Sequence, residues 1–150
     1  MILAQDVMSR EVLTVRPHQC LSKVRELFLE KGISGAPVVD EDGELVGVIS
    51  VTDLLGAEGE HSYQREGFFL DFARLTQPLR GINEDSPVSD IMSATTFHVG
   101  EMTPLHSVAS LMTLHQLHRV IVTSGHRKVV GIISSLDLVK HLHDRLLAEL

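Results

Sequence analysis

The stretch Val46-Gly47-Val48-Ile49-Ser50-Val51-Thr52-Asp53-Leu54-Leu55 decides how this chain folds. A β-branched apolar run ends at Ser50, Asp53 follows three residues later, and an aliphatic helical pattern then begins. This order predicts a strand, a tight turn and a helix with Ser50 as its N-cap. Asp53 then falls in the first helical turn, where a carboxylate suits the positive end of the helix dipole. The two residues can act as helix caps alone or also form part of a ligand site.

The same pattern recurs as Val130-Gly131-Ile132-Ile133-Ser134-Ser135-Leu136-Asp137-Leu138-Val139, with Asp137 84 residues after Asp53. The same offset aligns Asp6-Val7-Met8-Ser9 with Asp90-Ile91-Met92-Ser93. A fixed offset of this kind means that one supersecondary unit occurs twice. The sequence therefore predicts an α/β (α+β) module of two β-α-β-β-α repeats, packed by pseudo-twofold symmetry.

Apolar spacing and turn residues predict the elements of each repeat. In the first repeat they are a strand at Glu11–Val15, a helix at Gln19–Lys31 ended by Gly32, a strand at Ala36–Val39, a turn at Asp40–Gly43, a strand at Leu45–Ser50 and a helix from Val51. In the second they are a strand at Thr95–Val99, a helix around Leu105–Met112, a strand at His118–Val122, a turn at Ser124–Lys128, a strand at Val129–Ser134 and a helix at Leu136–Leu147.

A glycine-punctuated insert, Gly56–Pro87, separates the repeats. Its segment Phe68–Leu75 is apolar, is predicted to be helical and holds three of the five phenylalanines of the chain. So many aromatic residues argue against a disordered linker. We favour packing of this segment in the core of the protomer over the alternative that it covers a partner surface or a ligand entrance.

Length and composition restrict the class of protein. The chain has 150 residues, 43% of them hydrophobic, which is enough for a sizeable core. The formal net charge of −7 disfavours a broad nucleic-acid surface, although a local basic pocket for a small anion is compatible with it. One cysteine, no membrane-length apolar run and no signal-peptide pattern at the start favour a reducing, cytoplasmic location.

The doubled unit resembles a pair of CBS domains, also called a Bateman module. The resemblance is carried by the Asp-(Val/Ile)-Met lead-ins, the two Gly-hydrophobic-Ile-Ser-x-x-Asp segments, Gly32-Ile33-Ser34-Gly35-Ala36-Pro37-Val38-Val39-Asp40 and His118-Arg119-Val120-Ile121-Val122. It implies a first CBS repeat at 1–56, a partly helical insert at 57–87 and a second repeat at 88–150. The chain departs from the family pattern in having Ser34-Gly35 in place of a basic pair, Ile121 in place of Pro, Thr123-Ser124 in place of Val-Asp, and Leu136 in place of Thr or Ser.

The resemblance also implies a function. CBS pairs often bind adenosine nucleotides such as AMP, ADP or ATP in clefts between the repeats, as regulatory ligands in energy sensing. One cleft would combine Ser50 and Asp53 with His118 and Arg119; the other would combine Ser134 and Asp137 with Thr14, Ile33 and Ser34, while Ala36 belongs to the segments that pack against adenine. The nucleotide signal would be relayed by this stand-alone module to an unidentified partner protein. A homodimer is implied as well, with Leu54-Leu55 and Leu138-Val139 as its apolar surface.

Other functions remain open at the level of sequence. The sequence has neither a nucleophile-elbow pattern nor a glycine-rich phosphate loop with lysine. We therefore do not expect an enzyme. A structural or interaction module with empty clefts is one alternative. A metal- or redox-responsive regulator is another, although Cys20 and the pairs His115/His118 and His141/His143 lack the matching cluster that a metal site requires.

Overall fold

The computed structural model describes residues 1–56, 73–79, 81–94 and 97–150. Its α-helices are α1 (Ala4–Val7), α2 (Leu21–Lys31), α3 (Val51–Leu55), α4 (Leu105–His115) and α5 (Ser135–Ala148). Its strands are β1 (Gly35–Val39), β2 (Leu45–Ser50), β3 (His98–Gly100), β4 (Arg119–Thr123) and β5 (Val129–Ser134). Most of the expected helix at Phe68–Leu75 lies outside the described residues.

Two compact units make up the described chain, and each draws residues from both repeats. The C-terminal unit contains 97–150 together with 1–12 and 43–45, and the N-terminal unit contains 13–42 and 46–96. The lead-in at Asp6–Ser9 therefore belongs to the unit formed by the second repeat, and the lead-in at Asp90–Ser93 belongs to the unit formed by the first. The compact units thus group the chain differently from its sequence repeats.

In the N-terminal unit, β1 and β2 form a two-stranded sheet. The predicted strand at Glu11–Val15 is reduced to a single parallel bridge between Val15 and Val38, so that prediction was wrong in extent. Leu75 from the insert is fully buried in this core, as the packing interpretation expects for that residue. The buried members of the core are Val15, Leu21, Val24, Phe28, Ala36, Val38, Ile49, Val51, Leu54, Leu55, Leu75 and Val88.

In the C-terminal unit, β4 lies between β3, to which it is parallel, and β5, to which it is antiparallel. The strand expected at Thr95–Val99 begins only at His98 among the described residues, and β4 begins at Arg119. The ladder between β4 and β5 is irregular between Val122 and Thr123. The core consists of Ala4, Met8, Val108, Met112, Val120, Val122 and Ile133.

A methionine from each lead-in fills the space above a strand glycine of the other repeat. An ideal Cβ on Gly131 would contact the Met8 side chain, with its Cγ at 2.8 Å, and a Cβ on Gly47 would lie 2.8 Å from both the Met92 Sδ and the Ser93 carbonyl oxygen. Backbone pairing holds each lead-in there: the Ser9 and Ile132 amides and carbonyls bond each other at 2.9 and 3.0 Å. Both strands therefore require glycine because a methionine occupies the place of a side chain.

We predict that Gly131→Ala and Gly47→Ala each lower the free energy of unfolding by about 1–3 kcal/mol, the range for overpacked cores. Met8→Ala, which itself leaves a cavity, should remove most of the added penalty of Gly131→Ala. Met92→Ala should relieve Gly47→Ala only in part, because the Ser93 carbonyl oxygen remains in the way. Urea unfolding of the single and double variants measures these couplings.

Gly125→Ala is the matched control, since nothing lies within 4 Å of an added Cβ at that position. It should change the stability very little. Equal effects of Gly125→Ala and Gly131→Ala would contradict the role assigned to the Met8 contact.

Candidate functional site

Ser50 and Asp53 cap α3 in the manner predicted from the sequence. The Ser50 amide donates to Asp53 Oδ2 at 2.8 Å, and the Asp53 amide donates to Ser50 Oγ at 3.3 Å. The Ser50 hydroxyl also lies 3.0 Å from Asp53 Oδ2 and 2.8 Å from Thr52 Oγ1. This reciprocal arrangement is a capping box, so the structural role of the pair is confirmed.

Ser134 and Asp137 form the same capping box at the start of α5. The Ser134 amide donates to Asp137 Oδ2 at 2.8 Å, and the Asp137 amide donates to Ser134 Oγ at 3.1 Å. The hydroxyl supplied by Thr52 in the first repeat has no counterpart here, because Leu136 takes its position with a side chain that is 73% exposed. The two caps therefore share backbone geometry and differ in hydroxyl content.

Each box leaves capacity for a ligand. In both, the backbone of the serine uses Oδ2 of the aspartate, while Oδ1 accepts no hydrogen bond from a described residue. An ionised carboxylate oxygen in that state can accept from a ligand hydroxyl. Capping therefore uses one oxygen of the aspartate side chain and leaves the other available.

Burial distinguishes Asp53 electrostatically. Desolvation raises the pKa of the Asp53 carboxyl above its usual range, although the hydrogen bonds from Ser50 oppose this effect. No described cation forms an ion pair with Asp53, and a partly buried carboxylate in that condition is stabilised when a ligand donates hydrogen bonds to it.

The turn before each sheet hairpin is fastened to the cap of its own repeat. The Ser34 carbonyl accepts from the Val51 amide at 2.9 Å, and the His118 carbonyl accepts from the Ser135 amide at 2.9 Å. These residues are counterparts at the offset of 84, so Ser34 lies beside one capping box and His118 beside the other. The predicted grouping of His118 and Arg119 with Ser50 and Asp53 joins residues of different units and stays a prediction.

Arg119 begins β4, opposite Ser134 of β5. Although the residue is exposed at this strand end, partial desolvation of its guanidinium lowers its pKa, and it remains a cation at neutral pH. No described carboxylate forms an ion pair with it. A cation in this condition is suited to bind an anion from solution.

The other predicted site residues differ in what they can offer. Thr14 is exposed and Ile33 is half-buried beside the core of the N-terminal unit. The Ala36 side chain is fully buried in that core, so only its backbone can face a ligand. Gly35 stands where the second repeat has Arg119, which leaves the first repeat without a cation at this position.

Sequence reasoning missed a polar pair in the second repeat. His98 Nδ1 lies 3.0 Å from Thr123 Oγ1, and Thr123 is the one buried polar residue in the described part of the chain. The offset could have indicated it, because His98 is the counterpart of Thr14 and Thr123 is the counterpart of Val39.

The structure also bears on metal, redox and membrane chemistry. Within the four described ranges, no group of three His, Cys, Asp or Glu side chains could hold a metal ion. A hydrogen bond with the Ser22 hydroxyl, at 3.2 Å, lowers the pKa of the free Cys20 thiol. None of the helices described is long and apolar enough to cross a membrane.

Comparison with known proteins identifies relatives along most of the chain. The uncharacterized protein MJ1232 of Methanocaldococcus jannaschii is 32% identical over 135 residues, which cover 90% of this chain. Those residues are 38% of MJ1232, so the chain spans little more than a third of that relative.

Solved structures share the fold. The CBS-pair protein CBSX2 from Arabidopsis thaliana matches with a TM-score of 0.74 and 26% identity, covering 95% of this chain and 94% of that one. CBSX2 in complex with AMP gives a TM-score of 0.72 at 25% identity, with coverages of 95% and 96%. The CBS domain pair of protein MJ0100, in complex with 5′-methylthioadenosine and S-adenosyl-L-methionine, gives a TM-score of 0.69 at 23% identity, with coverages of 96% and 98%.

The family model of the CBS domain matches this chain twice, over residues 4–60 and 88–144. Each match contains one lead-in, one glycine of the kind that a lead-in methionine covers, and one Ser-x-x-Asp capping box. The chain therefore belongs to the CBS domain family and carries a pair of CBS domains.

Proposed function

We propose that this chain is a regulatory module, not an enzyme, that binds an adenosine nucleotide and relays its presence to a partner protein. In this proposal the better-bound nucleotide contacts Ser50, Asp53, His118 and Arg119. A weaker site uses Ser134 and Asp137 with Thr14, Ile33 and Ser34. The ligand is AMP, ADP or ATP acting as a reversible effector.

The observation that carries this proposal concerns the aspartate of each capping box, whose Oδ1 accepts no hydrogen bond from a described residue. Because Asp53 Oδ2 already holds the Ser50 amide, Oδ1 can accept from a ribose hydroxyl without uncapping α3. The two hydroxyls of a ribose are neutral donors that suit a carboxylate in partly buried surroundings. The ligands of the relatives support the same class, since CBSX2 was solved with AMP and the MJ0100 pair with two adenosyl compounds.

The difference between the repeats supports one site over the other. Arg119 supplies a guanidinium that can bond two phosphate oxygens at once. Its counterpart Gly35 supplies none, so a phosphate near the first-repeat strand would depend on backbone donors. A nucleotide monophosphate should therefore prefer the site that contains Arg119.

We predict that Arg119→Ala weakens AMP binding tenfold to a hundredfold, because a hydrogen bond to a charged group contributes about 1.5–3 kcal/mol. Adenosine binding should change much less, since adenosine has no phosphate. Asp53→Ala should weaken both ligands, since both carry the ribose hydroxyls. Isothermal titration calorimetry of the variants measures these differences.

Two controls accompany this prediction. The melting temperature of each variant without ligand shows whether loss of the α3 cap has unfolded the protein. Because Arg119 lies opposite Ser134, Asp137→Ala tests the competing pairing within one unit. Unchanged AMP binding in Arg119→Ala together with its loss in Asp137→Ala would falsify the assignment.

A second prediction uses the raised pKa of Asp53. A protonated carboxyl is a poorer acceptor for a ribose hydroxyl, so adenosine affinity should fall as the pH is lowered through the raised pKa of Asp53. Asp53→Asn keeps an oxygen for the Ser50 amide and does not titrate, so its adenosine affinity should lack this component. Calorimetry from pH 7 downward in an Asp137→Asn background compares the two, and parallel profiles would contradict a ribose contact at Asp53.

We further propose that two copies of this chain associate through α5. The expected surface at Leu54-Leu55 is corrected by the structure, because these side chains are 0% and 8% exposed in the core of the N-terminal unit. On α5, by contrast, apolar side chains with helical spacing are left exposed in the described structure. They are Leu136, Val139, Leu142, Leu146 and Leu147.

We predict that light scattering at micromolar concentration finds a dimer of the wild-type chain. Val139→Glu should convert it to a monomer, because the side chain is 59% exposed and the charge would be buried on association. Leu114→Glu, on the exposed part of α4, is the matched control and should leave the dimer intact. A monomeric wild-type protein would refute this proposal and leave nucleotide binding untouched.

A further inference from the structure

The strand β4 presents different side chains on its two faces. Val120 and Val122 pack in the core of the C-terminal unit. Since side chains alternate along a strand, Arg119, Ile121 and Thr123 lie on the opposite face. This second face is the one that carries Arg119.

His98 joins that face from the neighbouring strand. It lies in register with Ile121 in the parallel pair of β3 and β4, and its Nδ1 is 3.0 Å from Thr123 Oγ1. The hydrogen bond requires the imidazole to lie on the same side of the sheet as Thr123. His98 and Arg119 therefore lie on one face of the sheet, His98 beside Ile121 and Arg119 two positions before it in β4.

The hydrogen bonds of Thr123 define how the imidazole is held. Thr123 Oγ1 is 3.5 Å from the Val99 carbonyl oxygen, to which it can donate only weakly. Either atom can be the donor in the bond between His98 Nδ1 and Thr123 Oγ1, and Nε2 has no partner among the described residues. Nε2–H is a donor when Nδ1 accepts from Thr123 and also when the imidazole is protonated, so it can donate to an anionic ligand.

The first repeat lacks every part of this arrangement. The counterparts of His98, Arg119 and Thr123 are Thr14, Gly35 and Val39. The histidine thus occurs in the repeat that has the arginine, together with the buried hydroxyl that fixes its ring. Two of these differences add groups that can bind negative charge, an imidazole and a guanidinium, and the third adds the hydroxyl that bonds the imidazole.

We propose that His98 is a second anion-contacting residue beside Arg119 and that Thr123 positions its ring. This face thereby binds the phosphate portion of a phosphorylated nucleotide and discriminates it from the nucleoside. The identity of the ligand rests on the proposed function, whereas binding of a phosphate group by the pair His98 and Arg119 does not.

The repeat itself provides matched variants. His98→Thr introduces the residue of the first repeat and should weaken AMP about tenfold in calorimetry while changing adenosine less than about twofold. Thr123→Val, again the residue of the first repeat, should weaken AMP by a smaller factor. Thr123→Ser keeps the hydroxyl and should restore the wild-type affinity.

The double variant His98→Thr/Thr123→Val tests whether Thr123 acts through His98. Its AMP affinity should equal that of His98→Thr alone, because a positioning residue has no effect once the positioned ring is gone. Additive losses, or a Thr123→Ser variant as weak as Thr123→Val, would overturn the positioning role. Melting temperatures without ligand identify any variant that has lost its fold.

Inorganic phosphate separates this inference from the proposed function. In the full chain, phosphate should shift the side-chain nitrogen resonances of His98 in NMR spectra, and Arg119→Ala should abolish the shift. If the wild type binds AMP but His98→Thr binds it equally well, the inference is wrong and the proposed function stands. If no adenosine nucleotide binds but phosphate shifts His98, the proposed function fails and the anion site stands. If neither AMP nor phosphate affects His98, both fail.

Discussion

The contact between a methionine and a strand glycine is the constraint on which both units depend. Met8 occupies the space above Gly131, and Met92 occupies the space above Gly47. Methionine suits this role because its unbranched side chain adapts to an irregular gap. Each glycine lies three residues before the serine that caps the next helix, so the strand that presents a capping box is held down by a residue of the other repeat. The lead-in is thus part of the support of the site.

The capping boxes show how one side chain can serve structure and ligand together. Asp53 uses one carboxylate oxygen to hold the Ser50 amide and keeps the other available. The cost is electrostatic: burial raises the pKa of Asp53, which means that the folded protein disfavours its charge. A ligand that donates hydrogen bonds to this oxygen relieves that cost. Structural and binding roles are therefore compatible in this motif, and the sequence pattern alone could not separate them.

Much of the fold follows from the offset of 84 residues. β2 and β5 have the predicted bounds, and Gly32 ends α2 in a left-handed conformation with φ of 63°. The offset could not show that each lead-in packs on a strand of the other repeat. The local sequence around Met8 and Met92 is alike, so it does not indicate which methionine packs on Gly47 and which on Gly131. The predicted length of a strand was wrong where pairing with a neighbouring strand determines it. Glu11–Val15 alternates like a strand, but its pairing among the described residues is limited to the bridge between Val15 and Val38.

The site was predictable where a residue acts through its own turn and less so where it acts through a neighbour in space. Ser50 and Ser134 were identified as caps because capping is local. The sequence analysis did not identify His98 because its hydrogen-bond partner, Thr123, lies 25 residues away in sequence, although the two side chains are 3.0 Å apart in the sheet. The two repeats also differ on one face of the sheet. Both halves share the backbone geometry of the capping box and a methionine packed on a strand glycine. By contrast, Thr14, Gly35 and Val39 of the first repeat correspond to His98, Arg119 and Thr123 of the second. The contacts that stabilise each unit are therefore retained in both repeats, while the face proposed to bind an anion differs between them.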